Sequence, residues 1–185
     1  MKSFVGLFVV LLVLTLGLGT YMQFSGDKVL EKNGIIAITE EERQEIAEDM
    51  VTNLKENMIK QGFGVIGVKY VLGREDPNNG FDCSGFIYWL EKSNGIKTKR
   101  KTAKAYASYE RAENPQRGDL ALFQRKGKIV HIGMLTVIAE KLDKWMMLHA
   151  SSSKGIIESF MGSYWTPQYI YSVKLPIGRL KENEK

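Results

Sequence analysis

The chain has 185 residues, 44% of them apolar and 25% charged, which is the composition of an ordinary globular protein. Its single cysteine and two histidines exclude an internal disulfide, a thiolate-rich zinc or iron–sulfur site and a histidine-rich metal centre. We therefore expect neither a metal nor a cofactor. The net charge of +5 suits an anionic partner such as a cell wall or a membrane, or serves solubility alone.

The first residues join one positive charge, at Lys2, to an apolar run from Phe4 to Gly19. This plan is typical of a secretory signal, and the run is only a little short of a membrane span. We assign residues 1–24 to a cleaved signal peptide or to an uncleaved N-terminal anchor. In both cases the protein is exported, and in the second it stays attached to the membrane. Residues 25–38 are predicted to be a linker.

A first helix is predicted over residues 40–60. Thr39 and Glu42 have the spacing of a capping box, in which each residue bonds the backbone N–H of the other. Apolar residues then recur at helical spacing, which predicts that one stripe of this helix packs on a domain. The stripe consists of Ala47, Val51, Leu54 and Met58, with Ile46 and Met50 alongside.

The stretch "NNGFDCSGFIYWLEKSNG", residues 78–95, predicts a second helix. Asp82 is a favourable N-cap and Gly95 a favourable terminator, so the only cysteine, Cys83, lies in the first turn on the apolar face. Gly85 is costly inside a helix, which indicates that another group approaches closely there. From this pattern alone, Cys83 is either a packing residue or a nucleophile.

The segment "KTKRKTAK", residues 97–104, is the densest positive cluster. In an exported protein it does not indicate a nucleic-acid partner. After it the apolar period changes from helical to two, and short runs at 119–123, 129–137, 144–150, 155–159 and 169–173 predict strands. Because no helix-length pattern separates them, we predict an α+β fold in which N-terminal helices pack on a small antiparallel sheet.

Both histidines fall in predicted strands. A hairpin around residues 137–143 pairs positions whose numbers sum to 280, which puts His131 directly opposite His149 on one face. A helix packed on that face brings Cys83 to the pair, and we expect the helix N-terminus and a neighbouring imidazolium to lower the pKa of its thiol. Alternatively, each histidine is a structural residue.

Six motifs in this order resemble the NlpC/p60 cell-wall cysteine peptidases, over about residues 45–175. Each motif alone is weak, and the ordered set carries the resemblance. They are "YVLG" (70–73), "FDCSGFIYW" (81–89), "PQRGDLALF" (115–123), "HIGML" (131–135), "LHASSSKGI" (148–156) and "SYWTPQYIYSV" (163–173). The sequence departs from the family pattern at Arg74, where relatives often have a second glycine, and in its basic segment.

The resemblance implies a papain-like fold over residues 39–180, followed by a charged tail at 181–185. It also implies a set of site residues. The implied catalytic triad is Cys83, His131 and His149, with Tyr70 lining the site near the oxyanion, Asp82 capping the nucleophile helix and Ser84 supporting it.

Substrates of similar enzymes are the stem peptides of peptidoglycan, cut at an amide such as the one between D-γ-glutamyl and a diamino acid. The resemblance therefore implies an extracytoplasmic thiol peptidase whose partners are peptidoglycan peptides. Two alternatives stay open. The same triad serves amidase toxins and conjugation- or phage-associated lysins, and a protein with a silent site is a wall-binding module. The sequence makes no prediction of oligomeric state.

Overall fold

The computed structural model describes the backbone of residues 21–23 and 28–30, and the chain over residues 39–139 and 143–177. The apolar N-terminal run, most of the predicted linker and the charged tail lie outside the described residues. In the part that is described, no helix is both long enough and apolar enough to cross a membrane. The chain forms two compact units, Met1–Asp49 and Met50–Lys185.

In the first unit, strand β1 (Tyr21–Gln23) pairs antiparallel with β2 (Lys28–Leu30). Strand β2 lies within the predicted linker, and β1 lies at the end of the segment assigned to the signal or anchor. Helix α1 (Glu40–Phe63) begins in this unit. The Glu42 N–H donates to Thr39 Oγ1 at 3.1 Å, and the Thr39 N–H donates to the Glu42 carboxylate at 2.7 Å. The predicted capping box is confirmed, and the helix ends three residues later than predicted.

The apolar stripe of α1 is buried only near the end of the helix. Met58, Ile59 and Gly62 are buried, whereas Ile46 and Met50 are 48% and 62% exposed. The prediction that the whole stripe packs on a domain is therefore wrong for its first half. There each apolar residue stands among acidic neighbours, and a helix with so little apolar surface gains little by burial.

The second unit contains a six-stranded sheet. Its strands are β5 (Arg111–Ala112), β6 (Leu120–Arg125), β7 (Lys128–Ala139), β8 (Lys144–Ser151), β9 (Gly155–Phe160) and β10 (Tyr169–Val173). They lie in the order β5-β10-β6-β7-β8-β9, and every pair is antiparallel. Five of them cover the predicted runs, so the predicted α+β fold with an antiparallel sheet is confirmed.

Shorter elements precede the sheet. A two-residue ladder of β3 (Glu75–Asp76) and β4 (Gly80–Phe81) leads into helix α2 (Cys83–Ser93). A 3₁₀ helix, Ala103–Ser108, follows the basic segment, and a second one, Thr166–Gln168, precedes β10. Neither 3₁₀ helix nor the ladder was predicted. The ladder strands and the second 3₁₀ helix have only two or three residues and the first 3₁₀ helix has six, so each is too short to show a period.

Each face of the sheet carries its own core. The larger core joins α2 and the end of α1 to one face, and it includes Phe86, Ile132, Met134 and Leu148. The smaller core lies on the opposite face. It consists of Ala121, Phe123, Leu135, Met147 and Met161, with Trp145, Trp165 and Tyr169 packed against it. Alternate residues of β6, β7 and β8 thus point into different cores, as strand geometry requires.

The register between β7 and β8 differs from the predicted one by two residues. Met134 faces Leu148, so Gly133 rather than His131 lies opposite His149. The predicted direct pairing of the two histidines is wrong. Their placement on one face is right, because a slip of two residues preserves the alternation of side chains. Residues 136–137 hold a register shift that the sequence pattern does not reveal.

A buried ion pair ties α1 to the start of β6. Lys55 Nζ lies 2.6 Å from Asp119 Oδ1, and their side chains are 14% and 2% exposed. The Gln116 N–H donates to the other oxygen of Asp119 at 2.8 Å. Gly118, at φ +85°, lies against the Lys55 side chain, where a Cβ would approach within 2.6 Å of its carbons. Only glycine combines this backbone conformation with that close approach.

Replacing Asp119 with Asn is expected to lower the free energy of unfolding by about 3 kcal/mol, because the Lys55 ammonium then stays buried without its counter-charge. Urea denaturation at pH 7 measures the change. The control is Glu113→Gln, since Glu113 is 79% exposed and pairs only at the surface with Arg111. We expect a change below about 0.5 kcal/mol there. Equal changes in the two variants would contradict this account of the ion pair.

Candidate active site

The start of α2 has the geometry that the sequence predicts. Asp82 is in extended conformation, and its Oδ1 accepts the Gly85 N–H at 2.7 Å, so the predicted N-cap is confirmed. Cys83 is the first helical residue and is only 8% exposed. A Cβ on Gly85 would collide with the Arg74 carbonyl oxygen. The close approach that this glycine indicated is therefore present.

The Asp82 carboxylate binds more than its own helix. The Gly73 N–H donates to Oδ2 at 2.8 Å, and the Ser84 hydroxyl donates to Oδ1 at 3.0 Å. Nη2 of Arg100 lies 2.7 Å from both carboxylate oxygens. Arg100 also donates to Ser84 Oγ at 2.8 Å and pairs with Glu75 at 2.9 Å. One buried carboxylate thus joins the loop before α2, the helix itself and the basic segment.

Arg100 is a site residue that the sequence reasoning missed. Residues 97–104 were interpreted only as a positive surface cluster, but Arg100 points inward. The available signal was Asp82 itself, because a carboxylate buried at a helix start needs a counter-charge as well as N–H donors. That requirement points to a nearby cation, but it does not select one among the lysines and arginines of the basic segment.

The Cys83 thiol lies against an open edge of β7. It donates to the Val130 carbonyl oxygen, with 3.9 Å between sulfur and oxygen. Val130 is the extra residue of a β-bulge between the pairs Phe123–His131 and Gln124–Ile129. Pairing of β7 with β8 begins only at Met134, which leaves this edge accessible to the helix.

The route by which Cys83 reaches the histidine strand differs from the prediction. A helix on the histidine face was expected, but α2 packs on the opposite face, together with Ile132 and Met134. That face carries the larger set of buried apolar side chains and therefore receives the apolar face of the helix. The sulfur meets β7 at its edge, beside the two residues that flank His131.

The two histidines form a directly bonded pair. His131 Nε2 lies 3.0 Å from His149 Nδ1, with the rings edge to face at a centroid distance of 5.0 Å. The other nitrogen of His149, Nε2, lies 2.9 Å from Ser159 Oγ. Gly133 makes the diagonal approach possible, because a Cβ there would lie 3.2 Å from the Cβ of His149 and 2.9 Å from the Met147 sulfur.

Trp165 covers the pair and was also missed from the sequence. Its ring stacks on His131 at a centroid distance of 4.9 Å and an interplanar angle of 23°, and it meets His149 edge-on at 5.0 Å. Phe123 lies 4.9 Å from the same indole. The motif that contains Trp165 was interpreted only as a closing strand. Its turn, between β9 and β10, brings the indole over the sheet.

Burial sets the protonation of the site. Burial raises the pKa of the Cys83 thiol, the Asp82 carboxylate raises it further, and these effects outweigh the nearby backbone N–H groups of Ser84 and Ile132. The expected lowering of this pKa is therefore wrong in direction. Burial, together with His149, lowers the pKa of His131 to about 3, and burial lowers the pKa of His149 to about 4. At neutral pH the resting site holds a thiol and two neutral imidazoles.

Two cavities adjoin at the candidate active-site residues. One, of about 520 Å³, is lined by Cys83, Asp82, Ser84 and the basic segment; the other, of about 390 Å³, is lined by both histidines and Trp165. Tyr70 lines both, and the pKa of its hydroxyl is raised by burial and by the proximity of Cys83 and Asp82. All six predicted site residues therefore border these cavities. Over residues 39–139 and 143–177, no group of histidine, cysteine or acidic side chains is arranged to hold a metal.

Comparison with known protein families identifies the family of this chain. Residues 67–174, more than half of the chain, match the model of the NlpC/P60 family. The chain belongs to the NlpC/P60 family.

Individual relatives are distant. The chain is 29% identical to a gamma-DL-glutamyl hydrolase of Bacillus subtilis over 132 residues, which is 69% of this chain and 31% of that protein. It is 27% identical to the probable peptidoglycan endopeptidase LytE of the same species over 114 residues, or 61% and 32%. The chain thus spans about a third of the length of these relatives. An NlpC/P60 family structure from Bacillus cereus superposes with a TM-score of 0.57 at 18% identity, covering 89% of this chain and 53% of that one.

The lowered pKa of His131 leads to a prediction about acid stability. The pKa of His131 lies at about 3 in the fold and near 6.5 when unfolded, so the unfolded chain binds an extra proton between these values. The contribution of His131 to the free energy of unfolding is fully present above pH 6.5 and is lost as the pH falls toward 3. The variant His131→Phe keeps a ring against Trp165 but has no proton to bind.

Between pH 7 and pH 5, the wild-type free energy of unfolding is expected to fall by about 2 kcal/mol more than that of His131→Phe. Urea denaturation at the two pH values measures the difference. Because other titrating groups are common to both proteins, their effects largely cancel in the comparison. Equal losses in the two proteins would show that His131 is not held neutral by the fold.

Proposed function

We propose that this protein is an extracytoplasmic thiol hydrolase that cuts an amide bond in the stem peptides of peptidoglycan, with Cys83 as nucleophile and His131 as general base. The observation that carries the proposal is the bonded pair of His131 on β7 and His149 on β8, with the only thiol of the chain lying against β7 beside His131. A chain of nucleophile, base and orienting residue is the arrangement that covalent amide hydrolysis requires.

The ring nitrogens of His131 suit this role. Nε2 is engaged by His149, so Nδ1 is the nitrogen left to accept a proton. Cys83 lies against Val130 and Ile132, the neighbours of His131 on both sides. His149, only 1% exposed, holds the imidazole in orientation as the third member.

Acylation begins from neutral partners. As the Cys83 sulfur attacks the amide carbonyl carbon, the thiol proton moves to Nδ1 of His131, which becomes an imidazolium. The carbonyl oxygen takes the negative charge, and the backbone N–H groups of Cys83 and Ser84 at the start of α2, together with the Tyr70 hydroxyl, can stabilise it. When the intermediate collapses, the C–N bond breaks and His131 returns its proton to the departing amine, leaving a thioester on Cys83.

Deacylation reverses these roles. A water molecule attacks the thioester carbonyl as His131 accepts one of its protons. The C–S bond then breaks, the carboxylic acid leaves, and the proton of His131 returns to the sulfur. The raised pKa of the thiol and the lowered pKa of His131 favour this proton transfer during attack over a standing thiolate–imidazolium pair.

Similarity to named relatives supports the substrate class. One relative is called a gamma-DL-glutamyl hydrolase and another a probable peptidoglycan endopeptidase. A γ-glutamyl amide in a stem peptide fits both names. The apolar run at residues 4–19 supports action outside the cytoplasm, either as a secreted protein or attached by that segment. A membrane partner and the domain limits of 39 and 180 are part of the same proposal.

The first test incubates the full-length protein with purified peptidoglycan sacculi and identifies the products by mass spectrometry. We expect fragments from the wild type, whose masses name the bond, and none from Cys83→Ala, because the nucleophile is absent. Ser108→Ala, which removes an exposed hydroxyl outside both cavities, is the control and should remain active. Urea denaturation confirms that all three proteins are folded.

Other outcomes of this test decide between the alternatives. Cleavage of soluble stem peptides but not of sacculi would favour an effector or toxin type over a wall hydrolase. If neither substrate is cut while the protein sediments with sacculi, the wall-binding module replaces the enzyme. Activity retained in Cys83→Ala would eliminate the thiol mechanism.

Replacing His149 with Ala is expected to lower kcat by about 100-fold, because His149 orients the general base His131. KM should change little, because the Trp165 ring covers His149. Steady-state kinetics on a soluble stem peptide measures both constants. An unchanged kcat would make His149 a structural residue only. A large rise in KM with kcat preserved would instead make it a substrate contact.

A further inference from the structure

A row of three polar side chains crosses the sheet diagonally. His131 on β7, His149 on β8 and Ser159 on β9 are joined by contacts of 3.0 and 2.9 Å. His149 faces Ile157 on one side and Gly133 on the other, so each partner lies two residues from the directly paired position. The row therefore depends on the register of all three strands, and Ser159 is its outer end.

The two contacts restrict where the protons can be. Each neutral imidazole carries one N–H and one lone pair, and the bond between His131 Nε2 and His149 Nδ1 needs one of each. In the first arrangement His131 donates from Nε2, so the proton of His149 is on Nε2 and Ser159 Oγ accepts it. Nδ1 of His131 then carries a free lone pair.

The second arrangement reverses every bond. His149 donates from Nδ1 to His131, its Nε2 accepts from the Ser159 hydroxyl, and the proton of His131 is on Nδ1. In this form His131 has no lone pair with which to accept a thiol proton. The two arrangements place the same heavy atoms at the same distances, and only the first one makes His131 a base.

We propose that Ser159 is a positioning residue whose hydroxyl oxygen accepts the Nε2–H of His149 and so holds the pair in the first arrangement. This inference rests on the proposed function of His131 as base. Ser159 is partly exposed, which lets its own O–H donate to solvent while the oxygen accepts. Within residues 39–139 and 143–177, Ser159 Oγ is the hydrogen-bond partner of this nitrogen of His149.

Removal of the Ser159 hydroxyl should shift the equilibrium between the two proton arrangements. In Ser159→Ala the Nε2–H of His149 loses the Ser159 oxygen as its acceptor, and because His149 is only 1% exposed, a donor that loses its partner there is costly. The proton of His149 is then expected to move toward Nδ1, which favours the inactive arrangement. Ser159→Thr keeps the hydroxyl and suits a strand, so it should restore the first arrangement.

The test uses nuclear magnetic resonance of the full-length protein labelled with ¹⁵N at histidine. The chain has only two histidines, and His131→Phe assigns their signals. At pH 7 we expect both wild-type residues to carry the proton on Nε2. In Ser159→Ala, a measurable fraction of His149 should carry it on Nδ1, and kcat should fall about tenfold with KM unchanged. Ser159→Thr should resemble the wild type in both respects.

Ser108→Ala is the control. The Ser108 hydroxyl is exposed and donates to the Ala105 carbonyl oxygen at 3.0 Å, and Ser108 lines neither cavity of the site, so neither the tautomers nor kcat should change. Identical tautomers in wild type and Ser159→Ala would overturn the inference, as would a wild type protonated on Nδ1 of His131. If the tautomers shift as expected but no substrate is cut by the wild type, the positioning role stands and the proposed function fails.

Discussion

The whole site depends on one buried carboxylate. Asp82 accepts from the backbone of Gly73 and Gly85, from the Ser84 hydroxyl and from the Arg100 guanidinium. These four donors belong to three parts of the chain around Cys83: the loop with Tyr70, the helix itself and the basic segment. Because a buried charge is tolerated only when it is fully paired, these segments must come together for Asp82 to be buried at all.

The sheet contributes a second constraint, which is local irregularity. The bulge at Val130 frees a carbonyl for the Cys83 thiol, and Gly133 removes the side chain that would separate His131 from His149. A regular strand with a side chain at 133 would hold the imidazoles apart. Bulges and strand glycines therefore act here as positioning devices, which is their usual place next to functional sites.

Local patterns in the sequence predicted the elements well. The capping box at Thr39, the cap at Asp82 and the alternation of β6 to β10 are short-range signals, and the structure confirms all of them. The predicted placement of His131 and His149 on one face also holds, because the face of a strand residue follows from its parity alone.

What the sequence did not predict depends on contacts between distant segments. The register of β7 on β8 is set by a bulge within the strand, and the face that α2 covers is set by the relative size of two cores. Arg100 and Trp165 lie on segments without a repeating pattern, and their partners are far away in the chain. The direction of the Cys83 pKa shift was missed for the same reason, since burial is a property of the folded whole.

The division of the sheet into two cores has a consequence for the emergence of activity. Cys83 belongs to the core that α2 forms on one face, whereas the rings of His131 and His149 pack with Trp165 on the other. A chain in which only one core has assembled holds the proposed nucleophile without the proposed base, or the base without the nucleophile. The proposed activity therefore requires that both layers have folded, and we expect no fragment that retains a single layer to show even a weaker form of it.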